Sequence, residues 1–375
     1  MGERVLIIHS WPPTPCLHGF DVGLRRLGYE VDRVGPSLDY GLAEQFRQLD
    51  PDCEYTVMEP GHPPIESLLK PDTAWVLYLY PHVKFLPTGL LDCPVPVIGW
   101  LTEEEKCAPV DERLYPWFDA APTAVSHYSR EAPGKGHDNR PCYNFIGQNW
   151  ISPRYTGPRT LDMSFVGHWG LPGATDARDD DLRRVAVWCR ANGVNFSPRS
   201  GIWLRDVVDL YRASKIVWSM AATGNQNLTY RVGEAFAGGA LVLSPRPMSY
   251  GGLVSPLVEG EHVVFYNNQR QFAGYVRYYL QHEEGRERIG SAGAQWLRDN
   301  PIEAQVAFFV ETVVTPLRGT FRERRRERAQ RHGLTPEREQ EDYRAYFEWQ
   351  GPQPDVRQGQ RGLARTITLR RGSPP

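Results

Sequence analysis

The sequence predicts an α/β protein built from two doubly wound parallel sheets. Three observations carry this. Residues 4–34 read as strand, loop, helix, glycine, strand; residues 214–247 repeat that kind of unit; and a Pro/Gly-rich stretch without apolar periodicity, 147–160, stands between them. At 375 residues the chain is also too long for one ordinary core.

In the first half, Arg4–Ile8 is a continuous apolar run, the pattern of a parallel strand buried on both faces. A Pro-rich loop (9–18), a helix over 19–27 ended by Gly28, and a strand over 29–34 follow. Further strands are expected at 55–58, 74–80, 95–100, 118–125 and 142–146, with a short helix over 65–70. Glu103, Glu104 and Glu105 suit a helix N-terminus, where the dipole favours anions.

The second half starts with a strand over 161–166, followed by a loop opening on Gly167 and His168. Helices over 182–191 and 206–211 precede the unit at 214–247: strand 216–220, a polar loop with Gly224, Gln226 and Asn227, a helix from near Leu228 to Ala237, then strand 240–244. A strand over 262–266 and helices over 271–281, 284–299 and 301–314 complete it. The domains expected are 1–155, 156–317 and a C-terminal extension, 318–375. In that extension the Arg-rich stretch 322–328 reads as a solvated helix in preference to a patch for an anionic surface, and the end beyond Gly351 as a polar, disordered tail.

Composition narrows the function. A net charge of −2 offers no general attraction to nucleic acid or an anionic membrane, and no apolar run approaches the length of a membrane span. The start lacks the basic and long apolar regions of a signal peptide. Six cysteines without a C-x-x-C pair read as reduced thiols in a cytoplasmic protein, with no zinc site. The first βα loop holds no G-x-G-x-x-G, which argues against an NAD or FAD enzyme.

Ligands of open parallel sheets bind at the carboxyl ends of the strands, so residues there are the candidates. Glu234, between Gly233 and Ala235, is either a solvated helix glutamate or a carboxylate for a sugar or ribose hydroxyl. His82, just beyond strand 74–80, is either a plain loop histidine or a base. Gly167 would let the backbone approach a phosphate, with His168 able to hydrogen-bond it. Asp179, Asp180 and Asp181 formally contain D-x-D, but acids ahead of a helix are ordinary.

Several pieces in order carry a resemblance: Met163 to Gly167 (MSFVG), Val208 to Lys215 (VDLYRASK), Asn227 to Ser244 (NLTYRVGEAFAGGALVLS), and Leu257 to Tyr266 (LVEGEHVVFY). Residues 161–294 resemble the C-terminal domain of group 1 glycosyltransferases, particularly the CgeB-like branch (spore maturation protein CgeB). The resemblance implies a GT-B architecture, two Rossmann-like domains facing each other across a cleft. The nucleotide-sugar donor then sits on the C-terminal domain and the acceptor on the N-terminal one. Glu234 matches the family glutamate that holds the donor ribose. Gln226 stands where the family has an earlier glutamate directed at the donor sugar, and an amide cannot carry its charge. Gly224 and Asn227 are further donor contacts. Gly167, His168, Arg231 and the helix start near Leu228 are the groups expected at the diphosphate.

The implied reaction is metal-independent transfer from a nucleotide sugar, a UDP- or GDP-sugar, with retention at the anomeric carbon. No other cofactor is required. His82 is the candidate acceptor base, with His18 and Glu103 behind it. The acceptor stays open: glycan, protein or small molecule. A non-catalytic sugar-nucleotide-binding protein and a sugar-nucleotide epimerase share the fold and remain alternatives.

Overall fold

A computed structural model describes residues 2–9, 15–36, 55–59, 61–79, 85–100, 113–123, 133, 139, 141, 143, 145–147, 157–167, 177–203, 205–220, 228–247 and 251–349. Its described strands form two five-stranded sheets in which every pairing is parallel. The first comprises β1 (Arg4–Ile8), β2 (Glu30–Gly35), β3 (Thr56–Val57), β4 (Thr73–Leu79) and β5 (Val97–Trp100), in the order β3-β2-β1-β4-β5. The second comprises β6 (Leu161–Val166), β7 (Phe196–Arg199), β8 (Ser214–Trp218), β9 (Leu241–Pro245) and β10 (Val264–Tyr266), ordered β10-β9-β8-β6-β7. Strand order reverses between β1 and β4 and between β6 and β8. Those reversals place a crevice at the carboxyl ends of the paired strands.

Alternation along the strands explains why both faces of each sheet are covered. Val5 and Ile7 enter one apolar cluster while Leu6 and Ile8 enter another; Met163 and Phe165 face away from Val166 in the same way. Covering helices are α1 (Pro15–Arg26), α2 (Ala177–Ala191), α3 (Arg205–Arg212) and α4 (Arg231–Ala237). After β10 come α5 (Gln269–Gln281), α6 (Glu283–Asp299), α7 (Ile302–Phe309), α8 (Phe321–His332) and α9 (Pro336–Trp349).

The structure corrects several sequence expectations. Among their described residues the segments 118–125 and 142–146 form no continuous strand: Ala120 bridges Ile98, Asp119 N–H donates to the Val97 carbonyl at 2.8 Å, Thr123 N–H to the Pro141 carbonyl at 3.0 Å, and Tyr143 N–H to the Thr123 carbonyl at 2.8 Å. Strand β7 was not anticipated. It is a half-buried edge strand containing Pro198, a residue that ladders accept only at edges.

The larger corrections concern the C-terminal third. Helix α7, expected with the second domain, packs on the first sheet: Ile302, Val306 and Phe309 share a cluster with Val5, Ile7, Phe20 and Trp75. Close approach to α1 requires Gly23, where a Cβ would lie 2.5 Å from Val306 Cγ2. The Arg-rich helix is solvated on one face only. In α8, Arg325 and Arg328 are buried and both donate to the buried carboxylate of Asp119. In α9, Glu339 accepts the backbone N–H groups of Gly89 and Leu90 at 2.9 and 3.1 Å. Pattern alone did not reveal this, because an arginine that finds a buried carboxylate far along the chain looks like any surface arginine.

Candidate functional site

The reversal in the second sheet sets the ends of β6 and β8 side by side. Gly167 closes β6, its N–H donating to the Arg199 carbonyl at 3.1 Å. Beyond β8, Ser219 donates its N–H to the Leu243 carbonyl at 3.0 Å, and its hydroxyl lies 3.2 Å from that of Thr229. That hydroxyl pair ties together the two ends of the polar loop predicted to hold the donor contacts.

Helix α4 follows this neck. It begins at Arg231, three residues later than the sequence suggested, and is buried along its whole length. Val232, Ala235 and Phe236 supply its apolar contacts, and Gly239, at φ +67°, ends it in the left-handed region that favours glycine. Two charged side chains are therefore carried inside: Arg231, 8% exposed, and Glu234, 1% exposed. Buried charges need partners. Arg231 Nη1 donates to Glu234 Oε2 at 2.7 Å, while Glu234 Oε1 is buried without a hydrogen-bond partner.

Two rings flank the guanidinium, Tyr230 at 4.9 Å and Trp203 at 5.7 Å from their centroids. Burial pushes the Glu234 carboxyl above its ordinary range, and the Arg231 charge opposes that shift. Burial works against the Arg231 charge too, but Glu234 and the neighbouring tyrosines more than offset it, so the arginine stays firmly cationic. Tyr211 of α3, fully enclosed beside the pair, has its hydroxyl pKa raised by burial.

The structure thus joins Arg231 to Glu234 and puts Gly167 on the neighbouring strand end. His82, His168, Gly224, Gln226 and Asn227 lie outside the described residues. The D-x-D aspartates stand at the start of α2, Asp179 and Asp180 in its first turn, and Asp180 pairs with Arg183 and Asp181 with Arg184. Among the described residues no group of three His, Cys, Asp or Glu side chains is arranged to hold a metal. No described helix is long and apolar enough to cross a membrane.

Sequence reasoning missed Trp203 and Tyr230 as neighbours of the pair. It also missed Arg159, placed in the linker. The Arg159 guanidinium donates to the carbonyls of Arg212, Ser214 and Gly239 at 2.9, 3.0 and 2.5 Å, gathering the ends of α3 and α4 beside β8.

The family described as glycosyl transferase-like matches residues 171–309, which hold α2 to α7. No curated protein matches the chain. Among solved structures, Anabaena HepE in complex with UDP and glucose aligns at 12% identity with a TM-score of 0.54, over 84% of this chain and 100% of that one. A Listeria monocytogenes candidate UDP-N-acetylglucosamine 2-epimerase aligns at 10% identity and TM-score 0.51, over 84% of this chain and 96% of the other. An apo structure of OtsA aligns at 10% identity and TM-score 0.52, over 83% and 99%. At such identities the likeness is one of fold. The chain has the GT-B fold and carries, over residues 171–309, a glycosyltransferase-like domain.

Proposed function

We propose that this protein is a CgeB-like glycosyltransferase that moves a sugar, hexosyl by family resemblance, from a UDP- or GDP-sugar to an acceptor, without a metal and with retention. One observation carries the reading: within the glycosyltransferase-like segment, a buried carboxylate, Glu234, keeps one oxygen unbonded next to the strand-end crevice of the second sheet. A buried acceptor left open is costly unless a ligand completes it, and a ribose hydroxyl would. HepE, of like fold, was solved with UDP and glucose, which supports a nucleotide-sugar donor here.

Charge growing on the leaving diphosphate must be met by fixed donors or a metal. The ion pairing of Asp180 and Asp181 within α2 supports the metal-free scheme. Because the Arg231 guanidinium already serves Glu234, the diphosphate falls to His168 and backbone N–H groups of the loop after Gly167. Gly224, Gln226 and Asn227 contact the donor, and His82 from the first domain is the acceptor-side base. The cytoplasm is the compartment in which such donors and reduced thiols fit.

Thermal-shift measurements with UDP-, GDP-, TDP- and CDP-sugars test donor binding. Mass action stabilises by about 2.7 kcal/mol at a hundredfold excess over Kd. Donor turnover that disappears in Glu234→Ala is expected; no shift with any nucleotide overturns the reading. The Listeria fold relative supports epimerisation as a second reading. A sugar-nucleotide product of altered configuration, formed without acceptor, would establish it. Binding without any turnover would leave a binding protein.

A further inference from the structure

The pair inside α4 is arranged asymmetrically. Glu234 Oε2 is taken by Arg231 at 2.7 Å, Oε1 has no partner, and the guanidinium is held by rings from two separate segments, Trp203 after β7 and Tyr230 ahead of α4. A salt bridge serving stability alone is strongest when both carboxylate oxygens are satisfied. This one leaves half of its acceptor unused while fixing the other half.

We propose that Arg231 is a positioning residue for Glu234: it occupies Oε2, fixes the carboxylate's rotation, and leaves Oε1 as the single acceptor for a hydroxyl of the bound nucleotide sugar. This rests on the reading of Glu234 as a donor contact given above. It moves Arg231 from the diphosphate to the carboxylate. It also gives Arg231 an electrostatic task, since a hydroxyl donates well only to an ionised Glu234. The groups bearing on that charge are few. Arg231 lies on the same helix, Tyr211 faces it from α3, and Tyr230 adjoins Arg231. Helix α6 packs against α4 through Gly293 at Phe236, and β9 presents the apolar Val242. Among the described residues, Arg231 is the charged group placed to keep the carboxylate ionised.

The test compares nucleotide-sugar affinity against pH in folded variants, using the donor that gives the largest thermal shift with wild type. Wild type is expected to show a flat profile across neutral pH. Arg231→Met removes the opposing charge, so affinity should fall and acquire a slope, weakening about tenfold per pH unit below the raised carboxyl pKa. Arg231→Lys should restore a flat profile. Arg231→Met combined with Glu234→Gln should be weak at every pH, with no slope, because the titrating group is gone. Should Arg231→Met not fold, Arg231→Gln carries the same expectation. A flat profile in the charge-removing variant overturns the inference while wild-type binding keeps the functional reading intact. Failure of wild type to bind any nucleotide sugar overturns both.

Discussion

Gln305 Oε1 accepts the backbone N–H of Ile146 at 3.3 Å, joining the two places where the chain passes between the sheets. The same side chain donates to the Asn300 carbonyl at 2.8 Å, and the Tyr143 hydroxyl donates to the Gln305 carbonyl at 3.2 Å. Ile146 belongs to the core of the second sheet and Phe145 to that of the first, so this one buried amide spans the seam.

Gln305→Ala leaves a buried N–H, of Ile146, and a half-buried carbonyl, of Asn300, unpaired. The expected loss is ~1–3 kcal/mol of unfolding free energy, read from urea denaturation. Gln305→Met, of similar volume, should lose about as much, because it restores neither bond. A change in either variant below ~0.5 kcal/mol, the size of an ordinary surface substitution, would show that the seam does not depend on this amide.

Helices α8 and α9 pack onto the first domain. The Asp119 carboxylate accepts from the Val97 N–H at 2.9 Å and from Arg325 and Arg328, while Arg325 also donates to the Cys93 and Val95 carbonyls. Asp119→Ala strands two buried guanidinium groups and is expected to cost ~3–5 kcal/mol. Deleting residues 318–375 should unfold the first sheet outright, detected as lost near-ultraviolet dichroism from Trp117 and Tyr115, which the extension helps cover. A truncated protein with unchanged melting would refute this.

Cys189 in α2 is 1% exposed, and burial, with Asp162 adding to it, pushes its thiol up from 9.0 to about 12. The protonated thiol is therefore preferred in the folded state. Its stabilising contribution is complete below pH 9.0 and is lost as pH rises toward about 12. Cys189→Ala should flatten that alkaline loss in pH-dependent melts. Iodoacetamide should label this cysteine in urea at about pH 8 far faster than in native protein; equal rates would contradict the burial.

Much of the fold was legible because each buried strand's continuous apolar run and each glycine stop are local signals. The β6 boundaries and the carboxyl end of α4 fall where composition put them. The candidate site was half legible. Glu234 stood out as a charge among small residues, but its partner did not, since Arg231 three residues earlier reads equally well as a surface arginine or a phosphate ligand. Trp203 and Tyr230 could not be assigned to the site, because aromatic residues fill cores throughout this chain.

By itself the sequence determined that two parallel α/β sheets form, where the second begins, and that a carboxylate lies in the helix that follows β8, one of the two strands at its reversal. Those features follow from periodicity and from which residues the backbone tolerates at turns. Only the tertiary structure decided where the last third goes and what the charges do. Helices α7 to α9 return to the first sheet because their partners, Gly23, Asp119 and the backbone N–H groups at Gly89 and Leu90, sit more than two hundred residues earlier. Long-range pairing of buried charge leaves no local trace, so an arginine such as Arg325, which pattern reads as solvated, becomes once folded a buried clamp on Asp119.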